Sequence, residues 1–321
     1  IALSVVLFVL RDIVAGLWAL AAVAVVIDAA TLLYYRPSTV NRPSIHRIRK
    51  YVTYSLPMDA QTLSSRLIRH ADKYLILYFI SPTVAGVYAI CTSMGKVIED
   101  LGQTLNPTLY PTVVKAWRQD DIETLTRVYT TIFRWFTILG IPAVAGLGIL
   151  AEPLLATIST TSIADQGQYL LPITAAAFLV AGFNSPLQFV VNAAERNELL
   201  SNSYLVAAGL NLVLNYALIP PYGIYGAAAA TTASYGLITA YLFYWARTQI
   251  PFSFSVVTIS KSLAVTAVMT AALLAIPSVL SYPVRLVIYP LVGISIYIPL
   301  MVAIGGIDRR EIAEVKAIMA E

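Results

Sequence analysis

Residues 55–80 read SLPMDAQTLSSRLIRHADKYLILYFI, and where this stretch sits relative to a bilayer decides the topology of the whole chain. Asp59, Arg66, Arg69, His70 and Lys73 fall at i, i+7, i+10, i+11 and i+14, a single stripe along a helix. A charge at the bilayer centre costs roughly 2.5–3.5 kcal/mol on insertion scales, so three bases facing lipid would cost on the order of 8–10 kcal/mol. A spanning helix with this stripe must therefore turn it towards water, a partner helix or an anionic ligand. The rival reading makes residues 74–97, apolar nearly throughout, one span and leaves 66–73 as a solvated flank.

Loop charge separates the two readings. With spans near 55–80 and 85–113, one side of the membrane holds Arg36, Arg42, Arg47, Arg49, Lys50, Lys115, Arg118, Arg127, Arg196, Arg247, Lys261, Arg309, Arg310 and Lys316, with Arg285 alone opposite. With a single span every later loop changes side and the two counts become nearly equal. The positive-inside rule selects two spans, places the stripe within the membrane and puts the 36–52 loop and the C-terminus in the cytoplasm. Ser81-Pro82-Thr83-Val84 then forms the short outer turn, as its proline suits.

Composition agrees with a membrane protein. Of 321 residues 58% are hydrophobic and 12% charged, against about 25% charged in soluble domains. The mean hydropathy is +0.75. The net charge of +4 is too modest to imply nucleic acid and fits basic cytoplasmic loops. Cys91 is the sole cysteine and His46 and His70 the only histidines, so neither a disulfide within the chain nor a thiol or histidine metal cluster is expected. Apolar stretches of about 20 residues read as spanning helices. They lie near 13–35, 55–80, 85–113, 130–152, 169–193, 200–219, 224–246, 260–280 and 284–305, after a partial helix at 1–10. Residues 36–52 and 115–131 read as loops, and 308–321 as a charged amphipathic tail. The expected fold is an all-α, polytopic helical bundle with about nine full spans plus one partial.

Three constellations stand out. The stripe offers Arg66, Arg69, His70 and Lys73 as the lining of a wet cavity or an anion site, or else as partners of buried carboxylates; Asp72 lies off it with no evident role. Lys96, Glu99, Asp100 and Gln103, with Asn106 beyond, share a face of the next helix. Lys96 can pair with Asp100 or Glu99, and the carboxylate left over can neutralise Arg66 or Arg69 or couple transport to a proton or sodium gradient. Asn184, Gln188 and Asn192 recur every four residues, as do Asn211 and Asn215. The second pair reads best as glue between helices, and Asn184 and Gln188 also suit sugar or head-group contact. Arg134 reads as an anchor that snorkels to the cytoplasmic edge. No phosphate loop, metal spacing or activated nucleophile appears, so no enzyme and no cofactor is expected.

Two motifs carry a family resemblance. Tyr54-Ser55-Leu56-Pro57, Asp72-Lys73-Tyr74-Leu75-Ile76-Leu77 and Ala85-Gly86-Val87-Tyr88 resemble the "SLP … DR-x-L-L-G … VG-x-Y" helix of polysaccharide transporters, the O-antigen (Wzx-type) flippase branch of the multidrug/oligosaccharidyl-lipid/polysaccharide (MOP, MATE-like) exporter superfamily. Lys73 replaces the usual Arg, and Tyr78 falls near the usual Gly. Asn211-Leu212-Val213-Leu214-Asn215, Ile219-Pro220 and Tyr222-Gly223-Ile224-Tyr225-Gly226-Ala227-Ala228 are similar to the family's "N-L-x-L-N … IP-x-x-G-x-x-GAA" hairpin. The basic loop before Tyr54 and the charged tail extend the likeness. It implies a transporter lobe: 1–50 as the end of an N-terminal lobe and the basic loop, 51–246 as a six-helix C-terminal lobe, and 247–321 as two additional helices and a tail, the earlier helices of the N-terminal lobe being missing. The implied function is flipping of an anionic, polyprenyl pyrophosphate-linked oligosaccharide across the cytoplasmic membrane. Arg66, Arg69 and Lys73 would meet phosphate, and polymerase or glycosyltransferase machinery would be a neighbour. A cation-coupled drug antiporter of the same fold and a non-transporting scaffold subunit remain as alternatives.

Overall fold

The described residues fold into helices and no strand, and helices pair their backbone polar groups within the segment, as a chain this apolar requires in lipid. The computed structural model describes residues 13–34, 44–103, 106–276 and 280–307. The expected helix at 1–10, most of the basic segment 35–43, the end of the 260–280 span and the 308–321 tail lie outside them, as do the side chains of Arg47, Arg49, Lys50 and Asn106. The chain divides into two units, 1–53 and 54–321. The first contains α1 (Ile13–Tyr34), an apolar helix whose described side chains, Trp18 and Leu33 among them, are exposed.

The second unit begins within α2 (Ile45–Phe79) and continues through α3 (Pro82–Gln103), α4 (Asn106–Arg118), α5 (Ile122–Ile149), α6 (Ala151–Ile158), α7 (Thr161–Gly167), α8 (Leu170–Gly182), α9 (Asn184–Ala193), α10 (Asn197–Gln249), α11 (Val256–Leu274) and α12 (Tyr282–Ala303). The break at Ile80-Ser81 separates α2 from α3, so residues 74–97 do not form one helix. Among the described residues, five helical segments are long and apolar enough to cross a membrane: α5, α8 with α9, α10, α11 and α12. The stripe and its partners remove α2 and α3 from that set.

Several boundaries differ from expectation, each for a local reason. The 36–52 segment is not all loop, because α2 already starts at Ile45. The span expected at 85–113 is two helices, and Pro107 occupies the first turn of the second, where a missing N–H costs nothing. The loop expected at 115–131 shrinks to Gln119-Asp120-Asp121. Asp121 caps α5 by accepting the Thr124 N–H at 3.0 Å, which also holds its carboxyl below the usual range. The 169–193 span breaks at Phe183 ahead of Pro186. Two short helices, α6 and α7, fill what read as a loop at 153–168.

The hairpin motif explains its own glycines. The backbone of α10 turns at Gly223, whose φ of +59° and ψ of −138° suit glycine. A Cβ on Gly226 would meet the Leu218 carbonyl oxygen at 2.2 Å, so the two limbs close only over a bare backbone there.

Three apolar clusters hold the unit. One joins α2, α4, α5, α8, α9 and α10 around Tyr129, Phe133 and Phe252, with Phe133 and Phe254 stacked at 4.9 Å. A second gathers Ile76, Tyr88, Cys91, Leu155 and Ile219. The third packs α11 and α12 on α5 through Ile138, Met269 and Tyr297, whose hydroxyl donates to the Ile138 carbonyl at 2.8 Å. Arg134 does not simply snorkel. Its Nη2 donates to the Gly306 carbonyl at 3.0 Å, and Lys261 on α11 donates to the Gly305 carbonyl at 3.0 Å. Two cations thus satisfy carbonyls just past the negative end of α12.

Candidate functional site: a polar cavity within the helical unit

A cavity of about 490 Å³ opens within the second unit, beside the first cluster. Residues Met58, Gln61, Thr62, Ser65, Arg66 and Arg69 reach it from α2, at the 3–4 residue spacing of one helical face. Glu99 and Gln103 come from α3, Ala181 from α8, Asn184, Ser185, Gln188, Phe189 and Asn192 from α9, and Tyr204 and Tyr235 from the two limbs of α10. Each helix turns its polar positions inward here, where water or ligand replaces lipid as the solvent.

The charges gather on one wall. Arg69 makes a forked ion pair with the buried Glu99, Nη2–Oε1 at 2.7 Å and Nη1–Oε2 at 3.1 Å. Gln103 donates to the same carboxylate at 3.2 Å. Arg66 is exposed to the cavity and makes no ion pair among the described residues. The rest of the lining consists of neutral side chains, of which Tyr204 and Tyr235 lie beside the Arg69–Glu99 pair. There Gln61 donates to Gln188 at 3.1 Å, Gln188 donates to the Tyr204 hydroxyl at 3.2 Å, and Thr239 donates to the Asn184 amide oxygen at 2.8 Å.

Of the candidate residues read from sequence, Arg66, Arg69, Glu99, Asn184 and Gln188 line this cavity together, with Gln103 and Asn192. His70 and Lys73 do not. They continue the stripe one and two turns beyond Arg66, and the cavity lining on α2 ends at Arg69. Asp59 is exposed and also outside the lining. Lys96 and Asp100 pair with each other, both partly exposed, and are not among the residues lining the cavity that Glu99 enters. Asn211 and Asn215 are fully buried and bond along one helix at 2.9 Å rather than across two, so the glue reading is not what these contacts show.

Sequence reasoning passed over four residues. Gln61 sits on the Ser65–Arg69 face at i, i+4, i+8, a legible signal. Tyr204 and Tyr235 belong to no motif or periodic polar face and gave no cue. Asp72, 2% exposed, accepts from the Tyr88 hydroxyl at 2.6 Å, the Lys73 N–H at 2.7 Å and the Thr231 hydroxyl at 3.4 Å. It is a buried carboxylate with neutral hydrogen-bond donors and no ion pair among the described residues, so burial of its charge is offset by hydrogen bonds alone.

Fold and cavity together define a multi-pass helical membrane protein of transporter architecture. Residues 1–166 match the profile of the family described as polysaccharide biosynthesis protein, and the chain belongs to that family. Two curated proteins of Haloferax volcanii are similar. One is the "probable low-salt glycan biosynthesis flippase" Agl15, 22% identical over 204 residues, which are 63% of this chain and 43% of Agl15. The other is the "probable flippase" AglR, 22% identical over 165 residues, 51% of this chain and 34% of AglR. The chain thus spans less than half the length of these relatives. A solved structure of the lipid II flippase MurJ in an inward closed conformation superposes with a TM-score of 0.78 at 13% identity, covering 93% of this chain and 64% of that one. The superposition bears out the expected all-α, MOP-like transporter fold.

Proposed function

We propose that the protein takes part in flipping an anionic, lipid-linked oligosaccharide across the cytoplasmic membrane by alternating access, with the 36–52 segment and the C-terminus in the cytoplasm. One observation carries the proposal. Arg66 presents a cation to a polar cavity inside a lipid-facing bundle without a carboxylate of its own among the described residues. A phosphate or pyrophosphate is the ligand that such a guanidinium suits, because its planar fork matches two oxygens at once. A drug antiporter selecting cations would need a lining dominated by carboxylates, and the one carboxylate here, Glu99, is neutralised by Arg69. The protein is then a transporter and not an enzyme, with polymerase and glycosyltransferase machinery upstream and downstream of it. In cells depleted of the protein, lipid-linked oligosaccharide is expected to accumulate with its sugar on the inner face, protected from an externally added glycosidase. Undiminished surface polysaccharide after depletion would contradict the proposal.

Coupling to a proton or sodium gradient falls to Asp72 in this reading. A charge-bearing group held among neutral oxygens in a membrane domain suits a mobile cation better than a structural pair does. Asp72→Asn keeps the shape and removes the charge. Export by that variant is expected to fall about tenfold or more and to lose its dependence on the ion gradient, a coupling of at least about 1.4 kcal/mol. Normal, gradient-dependent export by Asp72→Asn would exclude this role.

A further inference from the structure

Asp72 is 2% exposed and does not line the cavity, so a proton that loads it has to cross a layer of protein. The side chains of this layer lie in register. On α2, Arg69 faces the cavity and Asp72 follows one turn later. On the second limb of α10, Thr231 donates to the Asp72 carboxylate at 3.4 Å, and Tyr235, one turn further on, lines the cavity. Helical side chains lean back towards the N-terminus, so the Tyr235 ring leans over the turn that carries Thr231. The Tyr235 hydroxyl is within electrostatic reach of Arg69, Glu99 and Tyr204, which line the cavity, and also of Asp72, which does not. Tyr235 thus stands between the two.

The Tyr235 hydroxyl has no hydrogen-bond partner, although the residue is 2% exposed. Buried polar atoms are nearly always paired, so the exception asks for a reason. Phenylalanine would fill the same space without it. An unpaired phenol keeps both of its capacities: it accepts a hydrogen from one side and donates its own to the other. Thr231 has the same two capacities and already directs its hydrogen at Asp72. Charge at this point is balanced. Tyr235 faces the Arg69–Glu99 pair, closed at 2.7 Å, the phenols of Tyr204 and Tyr88, and the Asp72 carboxylate. Asp72 in turn faces Tyr88, Thr231 and Lys73. With Glu99 neutralised by Arg69, Asp72 is the negative centre that draws a proton inward.

We infer that the Tyr235 hydroxyl is the proton relay between the cavity and Asp72. The inference rests on the reading of Asp72 as the coupling group and adds the path by which that group is loaded and emptied. In the resting structure the hydroxyl is unpaired. The relay closes when the ring swings onto Thr231, a motion of side-chain scale. A cavity water then gives a proton to the Tyr235 oxygen, the Tyr235 hydrogen passes to the Thr231 oxygen, and the Thr231 hydrogen passes to Asp72 Oδ2. Each hydroxyl ends with one hydrogen, the carboxylate becomes a carboxyl, and one positive charge has moved. The reverse sequence empties the site. Because the relay opens onto the cavity, Asp72 exchanges protons with whichever side of the membrane the cavity faces, as alternating access requires of a coupling group.

Infrared spectroscopy of the purified 321-residue chain in lipid nanodiscs tests this, with the proton itself as the probe. The Asp72 carboxyl band is identified as the one lost in Asp72→Asn. It is followed at equilibrium across pH and in time after a pH jump. Tyr235→Phe is expected to slow protonation about a hundredfold, the lower end of what a positioned proton donor contributes. The midpoint of the equilibrium titration should stay where it is, and the melting temperature should equal or exceed that of wild type. Thr231→Val should slow protonation similarly, and Thr231→Ser should restore it. The split between rate and equilibrium separates a relay from a structural hydroxyl, whose removal would move the midpoint or lower the melting temperature. Equal rates in wild type and Tyr235→Phe, or a moved midpoint at an unchanged rate, overturn the relay and leave Asp72 as the coupling group. The lack of any titrating carboxyl band that Asp72→Asn removes overturns the coupling reading, and the relay with it.

Discussion

Arg69→Met is expected to cost both stability and export, and only one of the two is expected to return when Glu99 is also replaced. Arg69 and Glu99 form a forked pair in which Glu99 is nearly inaccessible and Arg69 partly open to the cavity. Removing one partner of a buried pair strands the other charge at about 3–5 kcal/mol; the openness of Arg69 puts the effect near the lower end, about 3 kcal/mol. Gln103 alone would remain on the carboxylate. The double variant Arg69→Met/Glu99→Met leaves no stranded charge and should recover most of the stability, since apolar replacements of buried pairs are often neutral. Export should stay low in both, because the cavity then keeps one cation in place of two. Thermal unfolding of the four proteins of this cycle measures the coupling. Equal melting temperatures for the single and double variants would show that the pair does not bury charge as described.

Arg66→Gln should have the opposite signature: export lost and the fold intact. Arg66 makes no ion pair among the described residues and faces the cavity, so its removal strands nothing. Surface-like substitutions of this kind change stability by about 0.5 kcal/mol or less. Its contribution is to the ligand, where a guanidinium offers a planar fork and an ammonium only a point charge. Arg66→Lys should accordingly retain part of the export that Arg66→Gln loses. The check is surface polysaccharide per cell alongside the melting temperature of the purified variants. A folded Arg66→Gln protein that exports normally would remove the cation from the mechanism.

The stripe on α2 was legible because charge in lipid is costly, and loop charge chose two helices over one; the turn expected at 81–84 falls a little earlier, at Ile80-Ser81, because Pro82 opens α3 instead of sitting in the turn. The hairpin around Gly223 and Gly226 was legible for a similar reason, since only glycine tolerates the positive φ and the close carbonyl. What periodicity could not convey was depth. Arg66, His70 and Lys73 share one angular position, and only the packing of other helices decides that the cavity ends at Arg69. Nor could it join distant residues. Asp72 looked idle because its partners Tyr88 and Thr231 lie 16 and 159 positions away. Tyr204 and Tyr235 gave no cue for the same reason. Pro107 and Pro186 each stand in the first turns of a new helix, and a proline in an apolar run does not by itself say whether a span bends or breaks there.

Transfer of a fluorescent polyprenyl-pyrophosphate disaccharide between leaflets of proteoliposomes, followed by quenching with an impermeant reductant, addresses the flipping proposal most directly. Wild-type protein should expose the inner-leaflet label well above the rate in protein-free vesicles, and Arg66→Gln should return that rate to the protein-free level. Equal rates for wild type, Arg66→Gln and empty vesicles would contradict the assignment of the cavity to this transport.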